Sequence, residues 1–278
     1  MFFLILAIIS SALVSIVMRL STGKVKNNIG MLAANYIICF AIAFLYIEGL
    51  NPLPASDTIG QTVALGMFNG FLYLASFVVF QYNVKKNGVV LSAVFMKLGL
   101  LVPLVLSIVF FAEVPTWIQI LGFAVSVAAI IMINLKPTER GKNGGFYLVL
   151  LLLLGGGADA MSKVFEEVGA LEESSQFLFY TFAAALVFCA FLLLAKKQTI
   201  GKNEIIYGVM IGIPNFFSAK FLLHALSDIP AVVAYPTFSV ATILVVSLAG
   251  VAAFKEKLSK LQWIAVGAIM IALVFLNI

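Results

Sequence analysis

Ten long apolar stretches alternate with short polar interruptions along this chain, at 2–20, 29–47, 61–83, 89–111, 115–135, 145–164, 175–195, 204–226, 230–252 and 260–277. Each is about 20 residues, the length an α-helix needs to cross about 30 Å of hydrocarbon. The pattern predicts an all-α polytopic membrane protein with ten transmembrane helices. The connections are too short to hold a soluble domain.

The charged positions then orient the helices. Arg19, Lys24 and Lys26; Lys85 and Lys86; Lys136, Arg140 and Lys142; Lys196, Lys197 and Lys202; and Lys255, Lys257 and Lys260 fall in every second loop. The alternate loops carry Glu48 and Asp57, then Glu113, then Glu166, Glu167, Glu172 and Glu173, then Asp228. Loops rich in Lys and Arg are retained in the cytoplasm during insertion. The expectation is a multi-pass cell (inner) membrane protein with basic loops cytoplasmic and both termini outside.

Composition agrees: 63% of residues are hydrophobic, 10% are charged and the mean hydropathy is +1.14. The net charge of +5 is thereby a topology signal, and no nucleic-acid partner is expected. The first segment lacks a basic start and a small-residue cleavage site, so it reads as a retained helix. Cys39 and Cys189 lie inside apolar segments and read as small core hydrophobes, not a disulfide.

Laid over itself with a shift of 143 residues, the chain matches Phe111, Glu113, Gln119 and Asn134 to Phe254, Glu256, Gln262 and Asn277. Val90, Phe95, Leu101 and Val102 also meet identical residues, and a shift of 144 puts Tyr36 on Tyr180 and Arg19 on Lys163. This predicts two five-helix repeats, 1–140 and 141–278. Five is odd, so the second copy must enter upside down. Equivalent loops accordingly carry opposite charge, as with Lys24 and Lys26 against Glu166, Glu167, Glu172 and Glu173. Inverted repeats of this kind are an architecture of secondary transporters, with substrate near the midplane.

The repeat ends, FFAEVPTWIQILGFAV at 110–125 and AFKEKLSKLQWIAVGA at 253–268, and HALSDIPAVVAYPTFSVATIL at 224–244 resemble the EamA-like branch of the drug/metabolite transporter superfamily. The likeness covers essentially the whole chain. It implies a transporter that alternates between outward-open and inward-open states and moves small metabolites. The family's Glu at the end of the fourth and ninth helices maps to Glu113 and Glu256, whose place at the membrane edge reads as a helix-end or repeat-contact role, with ligand contact as the alternative.

Three lysines lie outside the loops: Lys97, Lys163 and Lys220. An ionised side chain at the bilayer centre costs roughly 2.5–3.5 kcal/mol or more, so each needs water, a partner or a purpose. Lys97 falls about 13 Å beyond Gly88 along the helix axis, with no acid one turn away. It reads as substrate-facing, or as paired with an acid on another helix. Lys220 and His224 share a face near the outer end of the eighth helix, beside Asn215 and Phe216. They line a vestibule, or Lys220 snorkels and His224 fills space.

Asp159 and Lys163 stand four apart, the spacing of a same-face pair. Their roles are self-neutralisation, anion binding at Lys163 or proton coupling at Asp159. Gly155, Gly156 and Gly157 before Asp159 allow a close helix approach or a bend. Arg19 reads as a gate or as a topology anchor. Asn69, Tyr73 and Ser76 share a face of the third helix and could wall a cavity, with Tyr235 a further hydrogen-bonding candidate.

The balance of buried charge favours a secondary transporter of a small polar metabolite, anionic or zwitterionic, working by alternating access. An exporter of amphipathic drugs or amino acids, and a non-transporting receptor or assembly subunit, remain as alternatives. An intramembrane enzyme is disfavoured: there is one His, no HExxH and no Gly-x-Ser-x-Gly elbow. No phosphate-binding loop is present, so ATP-driven transport within this chain is excluded. No metal or cofactor is expected. The expected partners are a small-molecule substrate and membrane lipid, with a homodimer left open.

Overall fold

The computed structural model describes residues 1–87, 92, 95–134, 145–254 and 259–278. Val90, Lys136, Arg140, Lys142, Lys255, Glu256 and Lys257, used in the charge and repeat patterns, and Gly88, used to set the depth of Lys97, lie outside the described residues. The helices in order are α1 (Phe2–Ser21), α2 (Asn28–Leu45), α3 (Ile59–Asn87), α4 (Phe95–Phe110), α5 (Trp117–Asn134), α6 (Gly145–Val168), α7 (Ser174–Ala195), α8 (Lys202–Leu226), α9 (Ala231–Phe254) and α10 (Lys260–Leu276). Among the described residues seven are long and apolar enough to cross a membrane, and α4, α5 and α10 are shorter.

The polar residues that repeat along the chain are helix punctuation. Thr116 and Gln119 exchange side-chain and backbone hydrogen bonds at the start of α5. Ser259 and Gln262 do the same at the start of α10. A capping box satisfies amide donors that have no partner within the helix. The matched Gln119 and Gln262 therefore mark where each closing helix begins.

The chain forms two compact units, each built from both halves of the sequence. One comprises Met1–Leu74 and Val164–Ser227, the other Ala75–Lys163 and Asp228–Ile278. The first holds α1, α2, α7 and α8 with the leading part of α3 and the last turn of α6. Within it α8 packs along α1 and α2, and α2 along α7. The second holds α4, α5, α9 and α10, most of α6 and the end of α3. Its core joins Leu100, Ile130, Val240, Val266, Ile269 and Leu276.

Inside the first unit one helix contact is made twice. Gly66 and Gly70 of α3 approach the backbone at Phe177 and Thr181 of α7, and Gly208 and Gly212 of α8 approach Met31 and Asn35 of α2. A Cβ on Gly66 would stand 2.8 Å from the Phe177 carbonyl, and one on Gly212 would stand 2.8 Å from that of Asn35. Small residues let two backbones come this close where hydrocarbon surrounds them. The first members differ by 142 in number and their partners by 146.

Each interface ends in a matching lock. Thr58 and Thr62 donate to the Glu173 carboxylate. The backbone N–H groups of Lys26 and Asn27 donate to Glu204. By this correspondence Tyr36 pairs with Phe182, and not with Tyr180 as a shift of 144 suggests. The Tyr36 and Phe182 rings lie 6.5 Å apart. Cys39 and Cys189 are buried free thiols that donate to the carbonyls of Gly212 and Ile29 at 3.3 Å each.

Candidate functional site

In the second unit the glycine run of α6 does what its spacing predicts. Gly156 meets the backbone of Gly99 on α4, and Gly155 faces the Met96 sulfur. α4 tightens into a 3-10 turn at Leu98–Leu100 just there. That contact brings Lys97, two residues before Gly99, into electrostatic reach of Asp159, three residues after Gly156. The acid that faces Lys97 thus comes from another helix. Tyr235 of α9, 2% exposed, donates its hydroxyl to the Asp159 backbone carbonyl at 2.7 Å and pins the turn that presents the carboxylate.

The Asp159 side chain is exposed and Lys97 is partly buried. The two opposite charges form a dipolar pair between α4 and α6.

Lys163 lies one turn beyond Asp159 but binds a different carboxylate. Its Nζ is 2.9 Å from Glu113, with side-chain exposures of 4% and 13%, and lies 5.7 Å from the Phe111 ring centroid. The other Glu113 oxygen accepts the backbone N–H of Val232 at 3.0 Å. That amide sits in the first turn of α9, where it has no partner within the helix and where negative charge is favoured. Ala112 holds a left-handed φ of 54° that turns the chain into Glu113. Lys163 and Glu113 together tie the α4–α5 turn, α6 and α9.

The remaining candidates belong largely to the first unit. Lys220 places Nζ 3.3 Å from the Tyr46 ring centroid, within a strip that includes Phe216 and Phe217. A cation over an aromatic face is stabilised by the ring quadrupole, more so away from water. The His224 ring is 5.3 Å from that of Phe3. Asn69 is 2% exposed with no partner for its side-chain oxygen among the described residues, and Tyr73 packs edge-on against Phe182 at 6.3 Å. Ser76, on the α3 segment of the second unit, is buried, and Arg19 is exposed at the end of α1.

Sequence reasoning used Phe111 only as a repeat match and Glu173 only as a loop charge, and passed over Tyr46 and Glu204. Only the fold sets them against a lysine or a helix end.

Paired helices closed by matching caps, glycine contacts made twice and charged groups at membrane depth define a polytopic membrane protein of duplicated design. A model of the EamA-like transporter family matches residues 1–135 and again 143–278. The chain belongs to the EamA-like transporter family, within the drug/metabolite transporter superfamily, and is a multi-pass membrane protein. It is 24% identical over 274 residues to an uncharacterised protein of Haemophilus influenzae, covering 95% of this chain and 93% of that one. A crystal structure superposes with a TM-score of 0.78 at 15% identity, covering 99% of this chain and 96% of its own. At that identity the likeness concerns fold alone.

Proposed function

We propose that this protein is a secondary transporter that moves a small polar metabolite, anionic or zwitterionic, by alternating access. The observation that carries the reading is the Lys97–Asp159 pair, two opposite charges set against each other on apolar helices. A substrate carboxylate would be drawn to the ammonium and a substrate amine to the carboxylate. A zwitterion would satisfy both without leaving a buried charge uncompensated. Lys163 and Tyr235 would act on this site indirectly, by holding α6 and α9 in place. Lys220 and His224 would line the approach in the first unit.

The test is counterflow in proteoliposomes, comparing labelled amino acids, dicarboxylates, inorganic phosphate and organic cations. Exchange of a carboxylate-bearing solute is expected, lost in Lys97→Ala and reduced in Asp159→Asn while both variants fold. Exchange of cations or apolar drugs alone, unchanged in Lys97→Ala, would overturn the reading.

We further propose that ten segments cross the inner membrane as two inverted five-helix repeats. Basic loops then face the cytoplasm and both termini lie outside. In the first unit the exposed Lys24, Lys26, Lys196, Lys197 and Lys202 gather at one end, and Glu48, Asp57, Glu172 and Glu173 at the other. With the native cysteines replaced, a cysteine at Asp57 should react with an impermeant maleimide in intact cells. One at Lys24 should react only after lysis. The reverse pattern would invert the topology.

A further inference from the structure

Along the flank of the first unit, α1 and α8 part to leave a groove of about 460 Å³. Leu13 and Val17 form one wall, with Ser10, and Met210, Ile213 and Phe217 the other. Pro214 lies in the wall inside α8. It supplies no N–H to the Met210 carbonyl one turn back, so the helix cannot close its ladder there. Both helices are long and apolar enough to cross a membrane. An apolar groove open to the bilayer would take hydrocarbon.

One end of the groove is marked by charge. Val17 packs with Val25 and Tyr207, and Lys24 holds its Nζ 5.7 Å from the Tyr207 ring centroid. Arg19, Lys24, Lys26 and Lys202 are all exposed at this end. The acid nearby, Glu204, is 6% exposed and already takes the N–H groups of Lys26 and Asn27 at 2.9 and 3.1 Å. It leaves the ammonium groups to the surface. Basic residues at a membrane boundary attract anionic headgroups.

We propose that this groove is a binding site for an anionic phospholipid, with one acyl chain along Leu13, Ile213 and Phe217 and the phosphate against Lys24. The dimensions suit a single chain, and the positive end selects the headgroup. The inference stands apart from the transport reading, since it uses none of the residues assigned to substrate.

The experiment is thermal unfolding of the purified full-length protein in detergent. It is titrated with phosphatidylglycerol, with phosphatidylcholine of the same acyl chains, and with glycerol 3-phosphate. Binding to the folded state raises Tm by mass action. Phosphatidylglycerol should raise Tm at lower concentration than phosphatidylcholine, and glycerol 3-phosphate should have no effect. Lys24→Gln should weaken the response to phosphatidylglycerol by about fivefold and leave that to phosphatidylcholine unchanged. Leu13→Trp fills the groove and should abolish the response. Ile213→Trp does so from the opposite wall and reads the same point if the first variant fails to fold. Both residues are 46% exposed, so either can enlarge outward. Equal responses to the two lipids, an equal response to glycerol 3-phosphate, or an undiminished response in a folded Trp variant would each overturn the proposal.

Discussion

At the scale of the residue, most of the ionisable groups at membrane depth have found chemistry that lowers the cost of their charge. Lys220 lies over an aromatic face, Lys163 meets Glu113, and Lys97 and Asp159 face each other. These solutions are not equivalent. The Lys163–Glu113 pair is closed to solvent and shares its carboxylate with the α9 amide, so it serves the fold. Removing either partner of a buried pair costs about 3–5 kcal/mol, because the other charge is left without compensation. Lys163→Ala and Glu113→Ala should therefore each lower Tm sharply, and the double variant should lose less than their sum. Glu113→Gln, which still offers Val232 an acceptor, should fall between. Thermal unfolding of the four variants in detergent checks this, and additive losses would mean that the pair is not coupled. The sequence made Lys97, Lys163 and Asp159 visible because charge in an apolar run is rare. Which acid serves which lysine was not legible, since Glu113 lies 50 residues before Lys163 in the chain.

Among the elements, the contacts that matter are those where backbone touches backbone. Gly156 against Gly99 fixes α4 on α6 and, with it, Lys97 beside Asp159. Adding one methyl at Gly156 forces the helices apart, and overpacking of this kind costs about 1–3 kcal/mol. Gly156→Ala should consequently lower both Tm and any exchange that depends on Lys97. Gly267 on α10 has open space where its Cβ would go. Gly267→Ala should be neutral or raise stability by up to about 1 kcal/mol, as Ala does in a helix. Equal destabilisation by both substitutions would show that the α4–α6 contact is not special. Helix positions were largely legible from the apolar runs, with ends shifting where capping residues decide them, as at Thr116 and Ser259. The pairing of helices was not. Hydrophobic runs look alike on every side, and only the spacing of Gly66 with Gly70 and of Gly208 with Gly212 records which faces meet.

For the whole molecule, duplication is visible in sequence, but the compact units do not follow the boundary between the copies. Each takes helices from both halves of the chain. Expressed alone, residues 1–140 or 141–278 should be degraded or aggregate, whereas the two halves expressed together should recover a folded, monodisperse protein. Size-exclusion profiles of the three expressions test this, and a stable lone half would refute it. The internal match at 143 residues revealed that two copies exist because polar caps repeat where helices start. It could not reveal that the copies exchange helices, since that lies in contacts between residues far apart. The lock between Asn27 and Glu204 spans 177 residues, and this has a consequence for the order of events during synthesis. α2 enters the bilayer with only its own Asn27 side chain, which accepts the Gly30 N–H, as a cap. The Lys26 and Asn27 amides just before it wait for Glu204 while α3 to α7 are made. The nascent chain must therefore hold its early helices in an unfinished state, and the chemistry that completes the first helices is among the last to leave the ribosome.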